Sequence, residues 1–321
     1  MDFTNKEKYR DICLSFQDFP LFLQHWWLDA VCGKNGWDAM IYEKNGKVAG
    51  VFAYHFIRRS GFRLIVQPLL TQQTGIWFNY PDNQDDIKKF NFELEVTKAF
   101  VDELEKMNVD YYDQNFSSEF SNWLPFYWKG YQQTSRYTYR IADLTNLDAV
   151  FDRFSHAKRK QINKAMPNFS IDFEMSGSDF YKHLESTLKK KKDAEVLFNE
   201  SQFLRLYNAC IKHHQGMIVA AVDANKTVHA ALFIVWDNNF AYNLISSIDI
   251  DFNSSGASTL VVWEAIKKMS EYTQVFDFEG SMDEGIENSF RQFGTVQTPY
   301  FRIYKHNSTV LKMLINLRKW K

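Results

Sequence analysis

The sequence predicts an α/β protein with mixed sheets, built as two tandem domains of one fold, and three observations carry that prediction. First, a stretch near the end of the chain is written twice. An offset of 164 residues lays Asp113 on Asp277, Ser117 on Ser281, Phe126 on Phe290, Gly130 on Gly294, Gln133 on Gln297 and Thr134 on Thr298 without a gap. A two-residue shift then pairs Tyr139, Arg140 and Ile141 with Phe301, Arg302 and Ile303. A repeat of this length is too long for a solenoid unit and matches a duplicated domain. Second, strand, small-residue loop, helix and strand follow one another in the second half in the order of an α/β domain. Third, 321 residues with 45% hydrophobic and 17% aromatic content are enough to fill two cores.

Taken in order, residues 20–32 (PLFLQHWWLDAVC) read as a helix started by Pro20, with Phe22, Trp26 and Ala30 on one stripe. Strand signals follow at 37–42, 48–57 and 62–66, the first two joined by Asn45-Gly46 and the last pair by Ser60-Gly61. A polar segment, Pro81 to Asp86, leads into a helix over 87–107. The repeated unit at 109–141 closes the first domain, 1–143, and the polar residues Asp143 to Asn146 form the junction. In the second domain, 144–321, one helix is expected over 150–166, with Val150, Phe151, Phe154 and Ile162 inward and Lys158, Arg159, Lys160 and Lys164 outward; Pro167 stops it. A strand at 171–175, helices at 178–190 and 200–213, and strands at 217–222, 227–236 and 240–248 come next. An amphipathic helix with Val262, Ile266 and Met269 in register precedes the second copy of the repeat. The terminal STVLKMLINLRKWK is amphipathic and basic, and its Leu311, Leu314, Ile315 and Leu317 are expected to pack back on the protein, with contact to a membrane surface as the alternative.

Composition removes several function classes. A formal net charge of −1 provides no global field toward DNA or an anionic membrane, so basic contacts must be local, as in the clusters Lys158 to Lys160 and Lys189 to Lys192. Cys13, Cys32 and Cys210 are an odd number at unrelated spacings, against both a disulfide framework and a thiolate metal site, and this fits a reducing cytoplasm. No signal-peptide pattern opens the chain and no apolar run reaches transmembrane length. His213-His214 at a helix end lack an accompanying ligand set, so no metal is expected.

One loop has anion-binding composition: Asn253, Ser254, Ser255, Gly256, Ala257 and Ser258, opening directly into a helix. Amide groups at a helix start carry partial positive charge, and small residues let a pyrophosphate approach them, which suits a CoA-type donor. The same serines also serve as ordinary helix caps. The first copy has Pro81 to Asp86 in the corresponding place, without glycine and with three carboxylates. Only the second copy is therefore expected to hold the donor, with the first forming an acceptor-side wall lined by Trp77, Tyr80 and Tyr127. Residues that differ between the copies are the functional candidates. Glu279 faces Asn115, and a carboxylate two residues beyond Asp277 on one strand face is placed either to take a proton from an attacking amine or to sit in a salt bridge. Arg291 faces Tyr127, and Asp249 and Asp251 end the preceding strand as candidates for positioning the amine.

The order of elements resembles the GNAT (Gcn5-related N-acyltransferase) fold, and the tandem copies resemble its FemAB-like branch. FDFEGS (276–281) is similar to that branch's FDxxG strand, SFRQFG (289–294) to its FKxxFG helix, and HAKRKQINKA (156–165) to its RxxIxKA helix. The loop matches the GNAT signature Q/R-x-x-G-x-G/A in part: Asn253 replaces Gln or Arg, Gly256 fits, and Ser258 replaces the last small residue. The resemblance implies an acyl-CoA donor, acetyl-CoA first, and direct attack by an amine acceptor without a covalent enzyme intermediate. It also implies that Arg291, in place of the motif's lysine, stands near the reacting carbonyl, where it stabilises charge but cannot act as a base. A second implied activity moves an amino acid from aminoacyl-tRNA onto a cell-wall precursor; a third possibility, of another class, is an inactive binding module.

Overall fold

The computed structural model describes residues 4–191 and 196–318. The chain forms two compact units, one of residues 1–136 with 299–321 and one of residues 137–298. The first opens with a helix the sequence does not announce, α1 (Thr4–Ser15), which buries Tyr9, Ile12 and Cys13 and leaves Leu14 exposed. Pro20 starts only a 3-10 turn at Leu21–Leu23, and α2 (His25–Cys32) begins after a break at Gln24, so the expected single helix is two pieces. β1 (Trp37–Lys44), β2 (Lys47–Arg59) and β3 (Phe62–Val66) form the predicted antiparallel meander. Asn45 and Gly46, with φ of 53° and 74°, supply the left-handed turn that joins the first pair. β4 (Gly75–Phe78) is an unpredicted strand on β2. α3 (Asp86–Lys106) starts at Asp85, whose carboxylate accepts the Lys88 amide. β5 (Tyr111–Asn115) runs parallel to β3, and α4 (Leu124–Trp128) follows. Alternate residues of β2 feed two cores: Phe52 and Tyr54 pack with Phe100 and Tyr112, while Val51 and Ala53 pack with Tyr9 and Trp37.

The next strand, β6 (Gln132–Ile141), starts in the first unit and ends in the second. There follow α5 (Leu147–Arg153), α6 (His156–Ala165), β7 (Ser170–Asp172), α7 (Gly177–Lys189), α8 (Glu200–Lys212), β8 (Gly216–Val222), β9 (Val228–Trp236), β10 (Phe240–Ile248), α9 (Ala257–Met269), β11 (Val275–Asp277) and α10 (Glu284–Arg291). The sheet order is β7-β8-β9-β10-β11-β6, with β10 and β11 parallel and the other neighbours antiparallel. β9 is almost wholly buried because α9 covers one face of the sheet and α7 with α8 the other. The helix expected over 150–166 is broken at Phe154, since Ser155 caps a new start by accepting the Lys158 amide. Lys158 is consequently not outward: it shares the buried stripe of Ile162 and Ala165.

β12 (Val296–His306) leaves the second unit and pairs with β5 of the first, and α11 (Thr309–Arg318) follows it there. The closing strands of the two sequence copies are thus exchanged, and the compact units do not divide at 143. The exchange explains the recurrence of one Asp and one Arg. Asp277, completely buried, accepts from Arg140 Nε at 2.6 Å and from the Thr138 hydroxyl at 2.5 Å. Asp113 is matched in the same way by Arg302, Nε to Oδ1 at 2.7 Å and Nη2 to Oδ2 at 2.5 Å. Each unit takes its aspartate from one copy and its arginine from the other. α11 meets the expected packing only in part: Leu311 and Ile315 are half-buried, Leu314 and Leu317 are open to solvent, and 319–321 lie outside the described residues.

Candidate active site

In the second unit β10 and β11 pair over three residues only, Phe240–Tyr242 with Val275–Asp277. β10 then continues to Ile248, kinked by a register shift at Leu244, with no partner on that side among the described residues. The two strands therefore part at their carboxyl ends. This is where open α/β sheets hold ligands, and the segments 249–256 and 278–283 both emerge there.

Glu279 stands one residue past Phe278 at this opening. β11 ends at Asp277, so Glu279 does not share a strand face with it; its φ is 60° and its amide donates to Asp277 Oδ1 at 2.7 Å. Gly280 follows at φ 69°, and a side chain there would stand 2.1 Å from the Tyr137 carbonyl. The segment is thus pinned against β6 in a conformation that a non-glycine residue adopts only at an energetic cost, the kind of strain that concentrates at functional sites. Glu279 is half-buried, and its Oε1 is enclosed without a protein hydrogen bond. Burial, and after it the Asp277 charge, raises its pKa well above the ordinary carboxylate range. Asp277 itself is held by Arg140, whose guanidinium lies 4.7 Å from the centre of the Phe240 ring.

The loop takes a different form from a simple phosphate cradle. Residues Ile250–Ser255 make 3-10 turns, Gly256 at φ 81° turns the chain, and α9 begins. Of the first amides of α9, that of Ala257 donates to Ser255 Oγ, and those of Thr259 and Leu260 to the Gly256 carbonyl. A Cβ on Gly256 would lie 2.9 Å from the Gln161 carbonyl and 3.2 Å from Ala165 Cβ. Gly256 therefore serves close packing of α9 on α6. Ser254 and Asn253 are exposed, Ser255 and Ser258 half-buried, and Ala257 buried. Asp249 caps the turn through the Asp251 amide, and Lys190 Nζ bonds both its oxygens, at 2.8 and 2.6 Å, and Asp251 at 2.7 Å. Burial pushes the Asp249 carboxyl upward, but the Lys190 ammonium and the Asp251 amide outweigh it and hold the group below the usual range. An ionised, fully bonded carboxylate of this kind is a structural clamp on the loop.

Arg291 projects from the end of α10, with 65% of its side chain exposed, and bonds Glu287 and Asn288 on its own helix. Lys158, expected outward in a basic cluster, is instead buried in this region. It is 8% exposed, its ammonium donates to Ser289 Oγ at 3.0 Å and lies 4.5 Å from the Phe293 ring centre, and burial lowers its pKa to about 8. The available signal was its place one turn before the inward Ile162.

The first unit has the same parallel pair, β3 with β5, but its opening is closed by the chain itself. Thr74 bridges Phe116, the Thr74 amide donates to the Asn115 carbonyl at 2.8 Å, and Gln114 Nε2 bonds Thr74 Oγ1 at 3.0 Å. Gly75 lies so close to the Phe116 ring that a Cβ would stand 2.6 Å from it. Trp77 packs in the core against Phe16 and Phe19, while Tyr80 and Tyr127 are 41% and 59% exposed. Among the described residues no group of three or more His, Cys, Asp or Glu side chains is placed to hold a metal.

No protein-family model matches the sequence, and no curated protein matches it. Solved structures do. The chain is similar to FemX, at 11% identity and a TM-score of 0.68 over 92% of this chain and 95% of that one. It is also similar to L-PGS from Bacillus licheniformis, at 12% and 0.58 over 97% and 96%. A third likeness is to a tandem GNAT protein from the clavulanic acid biosynthesis pathway, at 8% and 0.52 over 88% and 94%. At these identities the likeness is one of fold: the chain has the tandem GNAT fold.

Proposed function

We propose that the chain is an N-acyltransferase in which the second unit holds an activated acyl donor, acyl-CoA, and an amine attacks it directly. The observation that carries this reading is half-buried Glu279, whose carboxyl Oε1 is enclosed without a protein hydrogen bond just past the parting of β10 and β11. The amine nitrogen bonds to the acyl carbon, the carbon–sulfur bond breaks, and the proton lost by the amine passes to Glu279 while the thiolate leaves. A carboxyl whose pKa is raised above the ordinary range suits that role better than an ordinary one, because its conjugate base holds a proton more strongly. Arg291, as an exposed side chain, is assigned to the charge of the incoming substrate. Lys158, buried without a carboxylate beside it, is assigned to an anionic group of the donor or acceptor.

The motifs that resemble the FemAB-like branch, FDFEGS (276–281) and SFRQFG (289–294), support a second reading, with an aminoacyl-tRNA as donor and a cell-envelope precursor as acceptor. The same carboxyl takes the proton there, and a carbon–oxygen bond breaks instead. The use of Gly256 for packing supports this alternative, since that glycine is not reserved for a pyrophosphate. In either case kcat/KM should rise with pH through the raised pKa of Glu279, the base being its ionised form. Glu279→Gln should remove that limb and leave donor binding intact. An unaltered pH profile and rate in Glu279→Gln would place the proton acceptor elsewhere.

A further inference from the structure

α11 carries a surface that the transferase chemistry does not use. Val310, Met313, Leu314 and Leu317 are 61%, 61%, 46% and 66% exposed. At about 100° per residue these four fall within an arc of about 100°, a continuous apolar stripe turned to solvent. Leu311 and Ile315, half-buried, border it, while Lys312 and Asn316 lie on the opposite side. The helix is fixed at its start: the amides of Asn307 and Ser308 donate to the Asp110 carbonyl, Asn307 Nδ2 to the Val109 carbonyl, and Ser308 Oγ accepts the Leu311 amide. Charge selects the occupant. From Asn307 onward the sequence contains Lys312, Arg318, Lys319 and Lys321, a tryptophan at 320 and no acidic residue, in a chain whose formal net charge is −1. A segment that joins an apolar stripe to four cations and no acid in sequence complements an interface that is apolar below and anionic above.

We propose that α11 is an amphipathic docking helix for an anionic lipid surface, lying in the headgroup plane with Val310, Met313, Leu314 and Leu317 inserted. The local cations supply the electrostatic part of the attachment, screened by salt. The attachment is peripheral: among the described residues no helix is long and apolar enough to cross a membrane. Docking does not depend on the donor or on Glu279, so the two readings fail separately.

The test is co-sedimentation of the full chain with vesicles of phosphatidylglycerol and phosphatidylcholine, and with phosphatidylcholine alone. Wild type should bind the anionic vesicles at least about tenfold more tightly, and raised salt should weaken that binding. Met313→Glu/Leu317→Glu should lower it at least about tenfold more while leaving the thermal transition unchanged, since both side chains already face solvent. Lys312→Glu should reduce the preference for anionic vesicles and keep the residual binding to neutral ones. Equal pelleting of wild type and the double variant, or no pelleting of wild type with either vesicle, overturns the proposal. So does a wild-type dimer in sedimentation velocity that the double variant turns into a monomer, since a second copy would then be the occupant.

Discussion

Removing Arg140 should unfold the second unit selectively, although Arg140 belongs to the first copy of the sequence repeat. Its guanidinium bonds Asp277, whose side chain is 0% exposed against 12% for the arginine. Arg140→Ala leaves the carboxylate buried with the Thr138 hydroxyl and the Glu279 amide as its remaining partners. Breaking a buried pair from one side costs about 3–5 kcal/mol. For a unit of this size each kcal/mol lowers Tm by about 2–4 °C, so a drop of about 6–20 °C is expected. Arg302→Ala is the control. Asp113 is 19% exposed, keeps the Tyr111 hydroxyl at 2.6 Å, and can be reached by water. The loss there should be nearer the 1.5–3 kcal/mol of a hydrogen bond to a charged group, about half as large, and should fall on the first unit. The assay is urea unfolding followed by hydrogen exchange, with slow amides of β9 reporting the second unit and those of β2 the first. Arg140→Met/Asp277→Leu should recover most of the loss, because it removes the charge with its partner. The exchange of closing strands is refuted if Arg140→Ala weakens β2 first, or if it costs less than Arg302→Ala.

Three further perturbations follow from the second unit. Gly256→Ala should destabilise it by about 1–3 kcal/mol in urea unfolding, since the position combines a left-handed φ with a close approach to Gln161; a neutral effect would contradict the packing role. Lys158→Met should flatten a pH dependence: with a folded pKa of about 8 against about 10.4 unfolded, wild type should gain roughly 3 kcal/mol as pH rises from about 8 to above 10, and the variant should not. Parallel stability curves for the two would show that the ammonium is solvated. Glu279→Gln should change stability in the opposite sense. The raised carboxyl contributes stability that is complete below about pH 4.3 and is lost as pH climbs through its folded pKa, so the non-titrating variant should gain on wild type with rising pH in the same measurement.

The β1–β3 and β8–β10 meanders were legible because their turns are written in Asn-Gly, Ser-Gly and Asp-to-Lys segments, and because the strands between them are rich in aromatic and β-branched residues. α1 was not, since its only apolar anchors sit among lysines and acids. Nor was the exchange of β6 and β12: alternation tells a strand which face is buried but not which neighbour it pairs with. The repeat aligned Asp113 with Asp277 and Arg140 with Arg302, and the structure supplies the crossed pairing that makes all four scaffold. Around the site, comparison of the copies singled out Glu279, but its enclosure depends on a left-handed backbone and on β6, neither of which has a local signature. Lys158 was placed outward because lysine normally is, and the helix break at Phe154 that resets the register was hidden in a single capping serine.

The division of labour between the units is tested most directly by calorimetric titration of the full chain with acyl-CoA and, separately, with aminoacyl-tRNA, combined with hydrogen exchange of the saturated protein. One donor per chain is predicted, with protection concentrated at 240–258 and 275–281. The segments 64–78 and 111–116, where the first unit closes on itself, should be unaffected. Two equivalent donor sites, or protection confined to residues 1–136, would contradict the account.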